Sequence, residues 1–228
     1  MNKNRYVTTV SQLHFLILSI LVGMLITGCT IDAYDKGEGE YSKLTAEFVM
    51  AQVESDKSVT RVFTDRGETL VMDPSITAKW IEKGDTTYRA LLYYNIVREG
   101  VAQPVSISRV GVIQPRDSIK GDMKTDPLYI ESVWMSRNRQ HLNIRLRLLT
   151  GSTDDEKAVH ALGLLRDTIA SSASHQRMTL YHDQGGMPEY YSAVTFASIP
   201  LSGITADSIS ISVNTYDKGV IEYTLALK

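Results

Sequence analysis

The chain has 228 residues, with 24 Lys+Arg against 26 Asp+Glu and a single cysteine. A formal net charge of −2 without a basic block argues against a nucleic-acid partner, and one cysteine excludes an intrachain disulfide or a thiolate metal cluster. With 43% hydrophobic residues, stability comes from a buried core, and no cofactor is expected.

Lys3 and Arg5 open the sequence, residues 13–26 form an apolar run, and Leu25, Ile26, Thr27, Gly28 and Cys29 follow. A basic start, a short apolar stretch and small residues at the cut describe a secretory signal peptide, residues 1–28, rather than a spanning helix. The Leu-Ile-Thr-Gly-Cys ending looks like a bacterial lipobox, which makes Cys29 the acylated N-terminus of the mature chain. Lys3 and Arg5 leave with the signal, so the mature chain carries 22 Lys+Arg against 26 Asp+Glu. No second run reaches the roughly 18 apolar residues of a spanning helix, so the membrane is a partner through the lipid alone. One acyl chain binds a bilayer marginally; two or three hold it firmly. Residues 29–40 read as a flexible tether, because Asp32, Asp35, Glu38 and Glu40 beside Gly37 and Gly39 leave little to bury. Thr30 is not the aspartate that commonly marks inner-membrane retention, so the expected location is the outer membrane, on its periplasmic or cell-surface face.

Residues 41–114 read as one β domain. Thr45–Val53 is extended, with Phe48 and Met50 on one face and Val49, Ala51 and Val53 on the other. Residues 58–64 and 69–72 make a hairpin around the Asp65-Arg66-Gly67-Glu68 turn. Asp73-Pro74 is expected to stop that strand, with one helical turn over 75–79. Residues 87–97 and 105–113 supply two further strands. Three meandering strands, a short link and two more strands suit a small OB-type barrel, and a plain five-stranded meander gives the same pattern.

Residues 115–127 hold five charged residues outside Arg116, with Gly121 between Pro115 and Pro127, and read as a linker. Residues 128–228 read as a second β domain. His141–Thr150 alternates cleanly, Leu142, Ile144, Leu146 and Leu148 against Asn143, Arg145 and Arg147. Strands are also expected at 128–135, 158–165, 178–182, 190–199, 208–216 and 220–227, with 162–170 open to a helical reading. About seven short strands with frequent turns indicate an immunoglobulin-like β-sandwich. The whole chain is thus all-β.

In order along the chain, the lipobox and acidic tether are followed by VTRVFTDRGETLVMD (59–73), the strand at 88–97, DPLYIESVW (126–134), LNIRLRL (142–148) and LYHD (180–183). On these features the mature chain resembles the NigD-like lipoprotein family of Gram-negative anaerobes. The resemblance implies an N-terminal OB domain followed by a C-terminal β-sandwich. It also implies a role in bacteriocin immunity or secretion, since the family is named for a gene neighbourhood linked to bacteriocin production. It brings no catalytic residues.

The residues themselves offer few sites. No nucleophile elbow, phosphate loop, dinucleotide glycine pattern or zincin helix is present. His160, His175 and His182, with Asp183 beside the last, match no standard metal spacing, and alternation need not turn His160 and His182 the same way. Asp154-Asp155-Glu156 lacks the spacing of a calcium loop. Asp73 and Glu131 are acids with nothing to pair them across a cleft, as glycan hydrolysis requires. Two aromatic sets are candidate ligand surfaces. Tyr88, Tyr93 and Tyr94 share a strand, with Tyr88 and Tyr94 on one face; Tyr181, Tyr190 and Tyr191 flank the Gly185-Gly186 loop. Tyrosine is also simply a favoured strand residue. The expected function is a non-catalytic cell-envelope lipoprotein that binds an envelope protein or glycan. A structural component of the outer membrane and an envelope glycan hydrolase are the alternatives.

Overall fold

Alternating inward and outward residues in the first block close a sheet on itself. The computed structural model describes residues 44–119 and 121–228; the signal peptide, Cys29 and the tether lie outside the described residues. Strands β1 (Thr45–Val53), β2 (Val59–Thr64), β3 (Thr69–Ile76), β4 (Thr86–Arg98) and β5 (Val101–Arg109) form a closed barrel in the order β1-β2-β3-β5-β4. β1 pairs antiparallel with β2 on one side and β4 on the other. A short parallel contact of β3 with β5, at Val71 and Met72, completes the ring. This is the OB-type arrangement. Its interior is filled by Val49, Val62, Leu70, Met72, Leu92 and Ile107 among others. Gly67 takes φ +90 in the β2–β3 turn, a conformation that penalises a side chain.

The helical turn expected at 75–79 is absent. β3 runs on through Asp73 and Pro74 to Ile76, which pairs with Val59 across a register shift. The residue before a proline avoids the helical region, and the irregularity in the ladder accommodates the dipeptide. Residues 77–85 then loop across the barrel end, where Ile81 is buried and the Trp80 Nε1–H donates to the Ile107 carbonyl at 3.1 Å.

The second block is a two-layered sandwich. It contains β6 (Gly111–Val112), β7 (Pro115–Arg116), β8 (Tyr129–Met135), β9 (His141–Thr150), β10 (Ala161–Asp167), β11 (His175–Asp183), β12 (Tyr191–Pro200), β13 (Ser208–Thr215) and β14 (Gly219–Ala226). One sheet has the order β14-β13-β11-β10-β7 and the other β6-β12-β9-β8. Leu142, Ile144, Leu146 and Leu148 of β9 all face the shared core, as their alternation indicated. Residues 162–167, open to a helical reading, are strand. The pairings of β11 with β13, β10 with β7 and β12 with β6 are parallel. Residues 111–116 belong by pairing to the sandwich: β6 joins β12 in one sheet and β7 joins β10 in the other. The stretch read as a linker is likewise held, with Thr125 bridged to His182 and Leu128 to Thr215.

Barrel and sandwich meet across the outer face of β1 and β4. Arg89, its side chain fully buried, donates from Nη1 and Nη2 to Asp65 Oδ1 and Oδ2, both at 2.7 Å. It also donates to Ser198 Oγ at 3.1 Å and Asn143 Oδ1 at 2.9 Å. Asn143 Nδ2 returns a bond to Asp65 Oδ2 at 3.0 Å. Beside this network Phe48 packs edge-on against Trp134 and Phe196, with ring centroids 5.5 and 5.3 Å apart. A buried guanidinium needs its donors satisfied, and here residues from both blocks do it.

Candidate functional site

The barrel tyrosines divide by strand alternation. Tyr88 and Tyr94 point inward with Ala90 and Leu92, whereas Tyr93 lies half-buried on the outer side. Tyr94 is 2% exposed; its hydroxyl donates to Glu47 Oε2 at 3.0 Å, and burial, then the Glu47 charge, push its pKa up to about 12. Glu47 is shared with Arg66, whose Nε and backbone N–H donate to Oε1. A cavity of about 510 Å³ opens here between Arg66, Glu68, Tyr94, Ile96 and Glu99. Tyr88 packs edge-on against Trp80 and accepts from the Lys83 N–H at 3.0 Å. Tyr88 and Tyr94 are therefore part of the barrel's own packing, and neither offers a free ring face for stacking.

In the sandwich, the structure divides the second aromatic set between the two sheets. Tyr181 lies on the outer face of the five-stranded sheet, its ring across Gly163 of β10, directly opposite in register. Tyr190 and Tyr191 stand at the start of β12 in the other sheet, 78% and 57% exposed. The loop that presents them is internally braced. Gln184 Nε2 donates to the Met187 carbonyl and to Glu189 Oε1, and the Tyr216 hydroxyl donates to the same Glu189 oxygen at 3.2 Å. Desolvation and the Glu189 contact push the Tyr216 pKa up to about 12. The Tyr190 N–H donates to the Thr150 carbonyl, and its ring lies so close over Gly151 that a methyl group there would meet it.

β12 also has an uncovered edge. β6 pairs with it only at Ala197 and Ser198, so among the described residues 191–196 have no strand beside them on that side. Val194 is 45% exposed there. Sheet edges are commonly blunted by charge. β8, β10 and β14 carry Glu131, Arg166 and Glu222, whereas β12 carries no charged residue. Val194 escaped the sequence reading because an apolar residue in a strand reads as buried. Its exposure follows from strand alternation: Ala197 and Ile199 of β12 face the core, and Val194, of opposite parity, lies opposite Arg147 on the outer face.

The remaining candidates resolve individually. His160 and His182 do face each other: Nδ1 and Nε2 are 2.9 Å apart and the rings stack at 5.1 Å. His182 faces the core from β11, its Nδ1 3.1 Å from the Asp126 carbonyl oxygen, and His160 precedes β10 where the chain turns inward. His175 instead contacts Ser208. Among the described residues no three of His, Cys, Asp and Glu converge as a metal-holding group. Glu131 is ion-paired with Arg145 and Arg147 on β9, while Asp73 sits on the barrel.

Residues 111–227 match the family of NigD-like C-terminal beta sandwich domains. Among solved structures the chain is similar to a NigD-like immunity protein from Bacteroides caccae, at 23% identity and a TM-score of 0.63 over 80% of this chain and 96% of that one. It is similar to a candidate toxin-related protein from Parabacteroides distasonis, at 16% identity and a TM-score of 0.62, covering 80% and 92%. A candidate lipoprotein from Bacteroides fragilis aligns at 13% identity and a TM-score of 0.58, covering 81% and 98%. No curated protein matches the sequence.

Proposed function

Because the chain belongs to the NigD-like family through its C-terminal sandwich, we propose that it is a non-catalytic binding protein of the cell envelope, of the immunity type. In this reading a lipid on Cys29 holds it to the outer membrane. Its action is to occupy a surface of a partner protein, which requires binding area and no reaction.

The observation that supports this reading is the uncharged, open edge of β12 over residues 191–196, with Tyr190 and Tyr191 exposed at the start of the strand and Val194 exposed on its outer face. An extended partner segment can add to such an edge through main-chain hydrogen bonds, with side chains supplying specificity. Tyrosines are enriched at interface centres because they bring a large rigid contact surface and a hydroxyl at small entropic cost. The braced 184–190 loop holds Tyr190 in place before any partner arrives, which lowers the ordering cost of binding. Similarity to the NigD-like immunity protein of Bacteroides caccae supports this mode of action.

The test is a crosslinking pull-down from intact cells with the lipid-anchored protein, beside Cys29→Ser and Tyr190→Ala/Tyr191→Ala. The expected result is an envelope protein enriched with the wild type and lost with either variant, the double alanine weakening capture at least about tenfold. Self-crosslinks alone would favour a structural component of the membrane. Unchanged membrane fractionation of Cys29→Ser would remove the lipid anchor from the account.

A further inference from the structure

A second surface, on the opposite sheet from β12, has the makings of a ligand pocket. The outer face of β7, β10 and β11 forms the floor of a cavity of about 420 Å³. Ala161 and the Tyr181 ring lie on this floor, and Arg116 projects from β7 beside Leu165 of β10. The chain leaving β7 makes the wall with Ser118, Ile119, Asp122 and Lys124. This volume suits a small molecule of one or two rings.

The wall is fixed where it returns to the sheet. The His182 N–H donates to the Lys124 carbonyl, the Asp126 N–H to the His182 carbonyl, and the Gln184 N–H to Asp126 Oδ2 at 2.8 Å. The Tyr181 ring is fixed too, because Gly163 lets it lie flat against the β10 backbone.

The charges select among ligands. Lys124 Nζ donates to Asp183 Oδ1 at 3.0 Å, an interaction that raises the lysine pKa and lowers that of the carboxyl, so both stay charged near neutral pH and largely offset each other. Among the described residues the Arg116 guanidinium, the Asp122 carboxylate and the Ser118 hydroxyl have no side-chain partner; Asp122 and Ser118 are left to take hydroxyl donors. A planar guanidinium fork is the geometry that grips a carboxylate. A doubly charged phosphate would bring its second charge against the unpaired Asp122, and an uncharged sugar would make no ion pair with Arg116. The face of a pyranose ring presents C–H groups, which suit the electron-rich face of Tyr181.

We infer that this cavity binds a carboxylated sugar, its carboxylate on Arg116, its hydroxyls on Asp122 and Ser118, and its ring on Tyr181. This site is separate from the β12 edge and does not depend on the function proposed above.

Saturation-transfer NMR on the detergent-purified full-length protein tests it. The probes are glucuronate and galacturonate, beside glucose, galactose, inorganic phosphate and a capped Glu-Asp peptide. The uronates should receive saturation and bind with a dissociation constant on the order of 1 mM, whereas the neutral sugars should not. Arg116→Ala and Tyr181→Ala should each weaken uronate binding about tenfold or more, and Arg116→Lys should restore it only in part. Asp122→Asn, which leaves the floor untouched, should weaken it with an unchanged unfolding midpoint. Equal signals from uronates and neutral sugars, no uronate signal, displacement by phosphate or the peptide, or binding that survives Arg116→Ala and Tyr181→Ala would each overturn the inference. None of these outcomes bears on the pull-down through β12, so the two readings fail separately.

Discussion

At the scale of single residues, two histidines tie stability to pH. Burial first, and then the nearby Arg89, lower the His141 pKa below its ordinary 6.5, although Asp65 opposes the shift. Burial and the adjacent His182 lower that of His160. Both imidazoles are therefore held neutral in the folded protein, while the unfolded chain takes up protons at the ordinary value. The unfolded state binds more protons below about pH 7, so stability is full above the ordinary pKa and falls as pH drops toward the lowered ones. Urea midpoints should be flat from about pH 8 to 7 and decline from about pH 6.5 to 5.5, before most carboxylates titrate. His141→Asn or His160→Asn should flatten part of that decline. Rising stability over the same window would show that the folded state prefers the charged imidazoles.

At the scale of elements, the five-stranded sheet depends on one glycine. A methyl group on Gly163 would overlap the Tyr181 ring. Gly163→Ala should cost about 1–3 kcal/mol by overpacking, and the pair Gly163→Ala/Tyr181→Ala should cost less than the sum of its parts. Additive costs in chemical denaturation would mean that the ring does not rest on β10. Gly163 also marks how far the strands were legible. β1, β9 and the Asp65–Glu68 turn could be read directly, because alternation and turn residues are local signals. β6 and β7 are two residues each, too short to carry any periodicity, and they exist because β10 and β12 offer them an edge. The ambiguity over 162–170 has the same origin. Leu162, Leu164 and Leu165 fit either a strand or a helix, and pairing with β11 decides between them. Among the tyrosines, alternation placed Tyr88 and Tyr94 on one face without saying that the face was the barrel interior.

At the scale of the whole molecule, the decisive contacts join positions far apart in sequence. Arg89 meets Asp65 of the barrel turn and Asn143 and Ser198 of the sandwich. No local pattern announces such a network, which is why the two blocks read as separate units joined by a linker. Only Val110 lies between the last barrel strand and the first sandwich strand, and the Arg89 carbonyl accepts its N–H at 2.9 Å. Barrel and sandwich should therefore unfold in a single transition, with near-UV and far-UV signals superimposed. Arg89→Ala would leave Asp65 buried without its partner and should cost about 3–5 kcal/mol. Two resolved transitions in the wild type would mean that the interface contributes little.

β1 has a further consequence when the chain is held at its N-terminal end, as the proposed anchor requires. A pull transmitted along the tether enters the described fold at β1. That strand is laced to β4 across nine residue pairs, Thr45 to Val53, and to β2 on its other side. Traction on it cannot be relieved by peeling away an edge strand, since two ladders must give way together. Under the proposed anchoring and binding, the barrel would act as a mechanical clamp, carrying the load between that anchor and a partner held by the sandwich.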